Sequence, residues 1–256
     1  QISLDKGEVV TCTVTNERAP TGQLTVIKEA TPEDDTPFSF SGSVGQVPEP
    51  GMLISWIKVI GGFELRDPSA NHYTLPDWTG EAQYVIQEDA LGAGWEFGGV
   101  ECTGNAEPEE VDVTTRTVRV IVGRDEPVIC TFHNSGYGQI VVRKVVVPIE
   151  APASSFAFNP SWSGVFNMAG GAASMPFKVP AGAYSVSEGL TAEQVAEGWV
   201  LAESWCSDGS ATNAIGVSVG ETVTCTFQNL FREPDEEGSL PVIRRTTPAG
   251  GAGFGF

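Results

Sequence analysis

The chain has 256 residues, with 33 acidic against 14 basic side chains and a formal net charge of -19. Such acidity excludes a nucleic-acid binder, which needs a basic surface to displace counterions from phosphates. No run approaches the ~18 apolar residues of a membrane helix, and an apolar content of 41% suits a packed core and not a disordered chain.

Taken in chain order, the predicted elements recur. Residues 7–16, GEVVTCTVTN, form a strand that stands first and without a predecessor. A second kind of strand, GQLTVIKEATP, opens at Gly22; Tyr84-Val-Ile-Gln-Glu88 follows, then Gly94-Trp95 with Cys102 seven residues after the Trp, and then VICTFHN over Val128–Asn134. The series restarts with GQIVVRKVVVP at Gly138, Tyr184-Ser-Val-Ser-Glu188, Gly198-Trp199 with Cys206, and GETVTCTFQN over 220–229. That last strand is identical to residues 7–16 at seven of ten positions, and GSLPVIRRTTP at Gly238 opens the series once more. Only Leu190–Ala202 hints at a helical turn, which Gly198 cuts short.

Short runs rich in Val, Thr, Ile and Phe, separated by Gly, Pro, Asp and Ser clusters, predict an all-β fold of tandem Greek-key-like β-sandwich domains. The repeats place two complete domains at 19–135 and 136–231. Residues 1–18 are expected to be the closing strand of a preceding partial domain. Residues 232–256 are expected to be a linker and the opening strand of a following one.

Each complete unit carries one cysteine before its closing strand and one inside it, Cys102 with Cys130 and Cys206 with Cys225. This regularity predicts one disulfide per domain in an oxidising compartment. Cys12 sits in the orphan closing strand, so its partner is expected outside this segment. There is no C-x-x-C and there are only two histidines, His72 and His133, so no metal site is expected.

Side chains two apart on a strand share a face. Lys28 therefore aligns with Leu24 and Val26, Glu88 with Tyr84 and Ile86, and Asn134 with Cys130 and Phe132. In the second unit Lys144 aligns with Ile140 and Val142, Glu188 with Tyr184 and Val186, and Asn229 with Cys225 and Phe227. Each unit thus projects a Lys, a Glu and an Asn from the face that builds its core, where a lone charge is costly. By residue chemistry alone these could form an ordinary, partly buried ion pair with the Asn capping a turn.

The ordered set resembles the prealbumin-like CnaB or SpaA-type domains, tandem Ig-like β-sandwich modules of bacterial surface adhesins, pili and stalks. The CTF-x-N closing strand with its paired cysteine looks like a disulfide-bearing branch. The resemblance implies spontaneous isopeptide bonds between Lys28 and Asn134 and between Lys144 and Asn229, with Glu88 and Glu188 as the internal acid/base. It also places doubt at the C-terminal fragment, where Arg244 stands at the position of Lys28 and an always-protonated guanidinium cannot attack.

Two functions follow as expectations. The first is a structural extracellular repeat protein, a segment of a cell-surface stalk, fibre, filament or sheath. Its partners would be neighbouring repeats or copies of itself, including strand complementation at the split ends. The second is a surface adhesin recognising a protein or glycan, for which Trp56, Trp78, Trp162 and Trp205 lie outside the repeated Gly-Trp motif and Trp78 is the leading contact candidate. An enzyme acting on an external substrate is not expected, nor a cofactor: no G-x-S-x-G, H-E-x-x-H or P-loop occurs. The acidic clusters Glu33-Asp34-Asp35 and Glu107-Pro108-Glu109-Glu110 lack the spaced ligand loop of a calcium site.

Overall fold

The computed structural model describes residues 23–46, 57–74, 81–104, 108–123 and 127–233. Expectations about Cys12, Trp56, Trp78, Arg244 and the two partial domains fall outside them. The described residues form seventeen strands and one short helix, in the order β1 (Gln23–Thr31), β2 (Phe38–Gln46), β3 (Ile57–Leu65), β4 (Ser69–Thr74), β5 (Ala82–Glu88), β6 (Trp95–Gly104), β7 (Pro108–Asp112), β8 (Thr117–Val122), β9 (Pro127–Val147), β10 (Ser155–Pro160), β11 (Phe166–Ala169), β12 (Phe177–Pro180), β13 (Gly182–Tyr184), β14 (Val186–Gly189), α1 (Ala192–Ala196), β15 (Trp199–Cys206), β16 (Ile215–Val217) and β17 (Thr222–Phe231). The chain is all-β, with sandwich-like packing of sheets. Among the described residues no helix is long and apolar enough to cross a membrane.

Two compact units emerge. The first runs to Ile140 and adds Phe177–Ala183 and Gly216–Val223; the second takes Val141–Pro176, Tyr184–Ile215 and the chain from Thr224. In the first, an antiparallel sheet in the order β3-β2-β5-β8-β7 faces a second sheet in which β1 lies between β4 and β9, and β6 pairs β9. β1 runs parallel to β9, with Lys28 opposite Phe132 and Ala30 opposite Asn134. Strict alternation builds the core: β5 buries every second residue, as does β8. Leu24, Val26, Phe40, Tyr84, Ile86, Val118, Val120 and Phe132 meet between the sheets with almost no exposure. An apolar face this dry is the main stabilising term of the fold.

In the second unit β10 pairs β11 and β14, and β15 pairs β17, itself a neighbour of β9. Phe156, Phe158, Trp199 and Phe227 fill its interior. The helical turn is α1, closed at its start by a capping box between Thr191 and Gln194. Gly198 follows at φ 103°, where an added Cβ would fall 1.8 Å from the carbonyl oxygen of Arg232, so only glycine fits.

The same ring contacts occur in both units. Phe40 meets Phe132 edge-on at 5.2 Å, as Phe158 meets Phe227 at 5.2 Å. Phe38 meets Trp95 at 5.2 Å, and Phe156 meets Trp199 at 5.1 Å. The Trp of each Gly-Trp motif is therefore a core residue that begins a strand.

One expected element differs. Tyr184 and Glu188 do not share a strand: β13 ends at Tyr184 and β14 begins at Val186, in separate sheets. The backbone of Ser185 explains the break. Its amide donates to Ser161 Oγ (3.0 Å) and so to no strand backbone, while its carbonyl still accepts from the Ser161 amide (2.8 Å).

Candidate functional site: two buried Lys–Glu–Asn clusters

In the first unit, β1, β5 and β9 deliver Lys28, Glu88 and Asn134 to one point in the core, with whole-residue exposures of 0%, 0% and 2%. Lys28 Nζ donates to the carbonyl oxygens of Phe132 and Glu29, both at 2.9 Å, and lies 3.5 Å from Glu88 Oε1. The same Oε1 accepts from Asn134 Nδ2 at 2.7 Å. Glu88 Oε2 and Asn134 Oδ1 are buried with no hydrogen-bond partner among the described residues. Such orphans are rare and costly in native cores.

In the second unit, β9, β14 and β17 bring Lys144, Glu188 and Asn229 together. Lys144 Nζ donates to Glu188 Oε2 at 2.8 Å and to the Phe227 carbonyl at 3.3 Å, while Asn229 Nδ2 donates to Glu188 Oε1. The Lys and Glu side chains are both fully buried. Here the carboxylate bridges its neighbours through two oxygens. In the first unit a single oxygen serves both, which leaves Oε2 alone. Asn229 Oδ1, like Asn134 Oδ1, has no partner among the described residues.

Burial sets the electrostatics. Removal from water lowers the Lys28 pKa to about 8, against the opposing pull of Glu88, Asp67 and Glu29. Desolvation raises the Glu88 carboxyl above its ordinary 4.5, only partly offset by Lys28, Asn134 and Arg116. Burial likewise lowers Lys144, against hydrogen bonding and charge from Glu188. Each shift moves toward neutral amine and protonated acid.

Chemically, such a site can join its own side chains. A neutral amine attacks an amide carbon, a carboxylic acid polarises the amide oxygen and carries protons, and the folded core holds the reactants together. With the Asn amide turned by half a rotation, its Oδ1 would face the Glu carboxyl, as that polarisation requires.

Several contributors have no counterpart among the sequence expectations. The ring of Phe38 lies 4.6 Å under Lys28 Nζ, and that of Phe156 lies 4.4 Å under Lys144 Nζ. These contacts are worth roughly 0.5–2 kcal/mol to an ammonium. The available signal was a repeated Phe-x-Phe, Phe38-Ser-Phe40 and Phe156-Ala-Phe158. Arg116 donates through Nε to the carbonyls of Glu88 (3.1 Å) and Asp89 (3.0 Å), pinning the end of β5 that carries the acid. Nothing local to Arg116 in the sequence announces that role.

The cysteines lie beside these clusters. Cys102 is bonded to Cys130 across β6 and β9, and Cys206 to Cys225 across β15 and β17. His133 points out of the core, 3.3 Å from Glu29. Of the tryptophans outside the Gly-Trp motif, Trp162 contacts Tyr184 edge-on, and Trp205 is 44% exposed on the outer face of β15.

No protein-family model matches the chain, and no curated protein matches it. Among solved structures the chain is similar to the major pilin of Streptococcus pyogenes, at 13% identity and a TM-score of 0.32 over 84% of this chain and 99% of that one. It is similar to the Bacillus anthracis TIE protein, at 15% identity and a TM-score of 0.38 over 82% of this chain and 34% of that one. A C-terminal fragment of the pilus adhesin SpaC from Lactobacillus rhamnosus GG matches at 14% identity and a TM-score of 0.28, over 87% and 100% of the two chains. Likenesses of this strength carry no weight for function, which rests on the geometry above.

Proposed function

We propose that this chain is a segment of an extracellular structural repeat protein, a cell-surface stalk, fibre, filament or sheath. Its repeats are β-sandwich modules, each cross-linked by an internally formed Lys–Asn isopeptide bond and by a disulfide. The observation that carries the reading is the buried cluster Lys28, Glu88 and Asn134, met again as Lys144, Glu188 and Asn229. A buried ion pair contributes little net stability and is often matched by apolar residues. Two such pairs, each hydrogen-bonded to an Asn with an orphaned carbonyl, fit a reaction better than a scaffold.

The step balances within each cluster. The Lys Nζ lone pair attacks Asn Cγ, a C–N bond forms, and the bond from Cγ to Nδ2 breaks. Glu88 or Glu188 takes a proton from the amine and passes one to the departing nitrogen, which leaves as ammonia. No oxidant and no cofactor is required. Two modules follow from the repeats, 19–135 and 136–231, and neighbouring repeats or further copies of the chain are the partners this role calls for.

The test is the intact mass of the protein after disulfide reduction. Each isopeptide removes about 17 Da, so two bonds remove about 34 Da. A mass equal to that of the reduced, unmodified chain refutes the cross-linked reading.

A second reading, a surface adhesin, draws on one observation. Trp205 is 44% exposed on β15, and exposed aromatic rings are common anchors for sugars and proteins. Binding to a glycan array that disappears in Trp205→Ala favours this reading; no binding by the parent chain removes its support.

A further inference from the structure

Among the described residues other than glycine, Arg116 alone takes a left-handed backbone, at φ 55°. That conformation is disfavoured for any residue with a side chain and persists where surrounding contacts impose it, often beside a functional site. Here the contacts converge on the end of β5. The Arg116 carbonyl accepts from the Glu88 amide at 3.0 Å, and its Nε donates to the carbonyls of Glu88 at 3.1 Å and Asp89 at 3.0 Å. Gln87 adds a further tie, from its Nε2 to the Thr115 carbonyl at 3.0 Å. The Asp112 carboxylate accepts from the amides of Thr114 and Thr115 and fixes the turn that presents Arg116.

We propose that Arg116 is a positioning residue for the Lys28–Asn134 cross-link: it grips Glu88 by both its N–H and its C=O and so sets where the acid stands. This rests on the isopeptide reading above. Arg116 touches none of the atoms that react; it acts through the backbone of the residue that carries the proton. Glu88 is the last residue of β5, and the ends of elements fray unless they are tied. Its reaction partners hold it by one oxygen only, 2.7 Å from Asn134 Nδ2 and 3.5 Å from Lys28 Nζ. The clamp supplies from the backbone side the restraint that this single oxygen does not.

The second cluster is built differently. Glu188 lies on β14, the edge strand of the sheet β11-β10-β14. The first unit carries β7, β8 and the turn holding Arg116 between its two cysteines, 28 residues apart; the second has 19 residues there and only the short β16. Its acid is fixed instead through both carboxylate oxygens, one accepting from Lys144 Nζ at 2.8 Å and the other from Asn229 Nδ2. The Lys144–Asn229 bond therefore does not depend on Arg116, and it serves as a reference inside the same chain.

The experiment follows both bonds in the same molecules. The full 256-residue chain is made by cell-free synthesis and quenched at intervals, and the two cross-linked peptides are quantified by mass spectrometry. In Arg116→Gly the first bond is expected to form about 10- to 100-fold more slowly, the effect of a small misplacement in a preorganised site. The second bond, which reports on synthesis and folding, is expected to keep its rate. In Arg116→Lys, whose ammonium still offers donors to both carbonyls, the first bond is expected within about 3-fold of the parent. Glycine takes φ 55° freely, so the denaturation midpoint of Arg116→Gly should hold, compared in an Asn134→Ala chain where the first bond cannot form. The positioning role is overturned by a first bond that is unchanged in Arg116→Gly, equally slow in both variants, slowed together with the second, or slowed in step with a lower midpoint. Each of those results leaves the cross-linked reading intact, whereas absence of both bonds from the parent chain overturns that reading itself.

Discussion

Lys28 and Asn134 converge on a single atom: Glu88 Oε1 lies 3.5 Å from Lys28 Nζ and 2.7 Å from Asn134 Nδ2. Residues 106 positions apart in the chain are thereby held by one buried acid. Glu188 does the same for Lys144 and Asn229 with its two oxygens.

In the proposed reaction each glutamate serves its own bond. Glu88→Gln keeps the shape but removes the titrating acid, so the first cross-link is expected to be lost while the second forms normally. Glu188→Gln should give the reverse. General acid–base groups contribute roughly 10²–10⁴-fold, enough to turn a complete reaction into one barely begun on the same timescale. Peptide mapping of each variant checks this, and loss of both bonds from one substitution contradicts it.

The pH dependence follows from opposed shifts. Burial lowers Lys28 to about 8 and raises Glu88 above 4.5. Between these limits the pair shares one proton, and the reactive arrangement is a constant fraction of that state. In acid both groups hold a proton and the amine cannot attack; above about 8 both are bare and no acid remains. Formation of the first bond should therefore peak at intermediate pH and fall on both sides. A rate that climbs steadily to pH 10 would mean that Glu88 plays no acid role.

The disulfides close loops of 28 and 19 residues. Chain entropy assigns about 3–4 kcal/mol to each, slightly more to the longer. The Cys102–Cys130 loop nests inside the span from Lys28 to Asn134, so the disulfide and the proposed isopeptide would constrain the unfolded chain together and not replace one another. Cys102→Ala with Cys130→Ala is expected to lower stability by about that amount with the isopeptides present, measured by chemical denaturation. No change would show that the isopeptide alone sets the unfolded state.

Two tryptophans on one strand should behave oppositely. Trp199 is 1% exposed and packs on Phe156 and Phe231, each at 5.1 Å; Trp205 is 44% exposed. Trp199→Ala is expected to cost about 3–5 kcal/mol, and Trp205→Ala within about 0.5 kcal/mol of nothing. Denaturation curves decide it, and a large loss at Trp205 would make that residue part of the packing.

Much of this could be read from the residues because strand periodicity is simple. Leu24, Val26 and Lys28 alternate inward, and the inward set includes the lysine whether or not a charge belongs there. The two cysteine pairs likewise follow from the repeat. What escaped depends on how separate elements meet. Phe38 is an unremarkable core residue in sequence, and its place under an ammonium is set by the packing of one sheet on another. Arg116 reaches Glu88 only because the turn before β8 lies beside the end of β5. The charge of Asp67, in a turn 39 residues further along the chain, acts against the lowering of the Lys28 pKa. The split of Tyr184 from Glu188 depends on Ser161, a residue in a different segment.

The most direct test of the central claim is the mass of the intact, fully reduced chain. Two Lys–Asn bonds predict a deficit of about 34 Da against the sequence mass, falling to about 17 Da in either Glu88→Gln or Glu188→Gln. A parent chain at its full sequence mass would contradict the account and leave two buried ion pairs in its place.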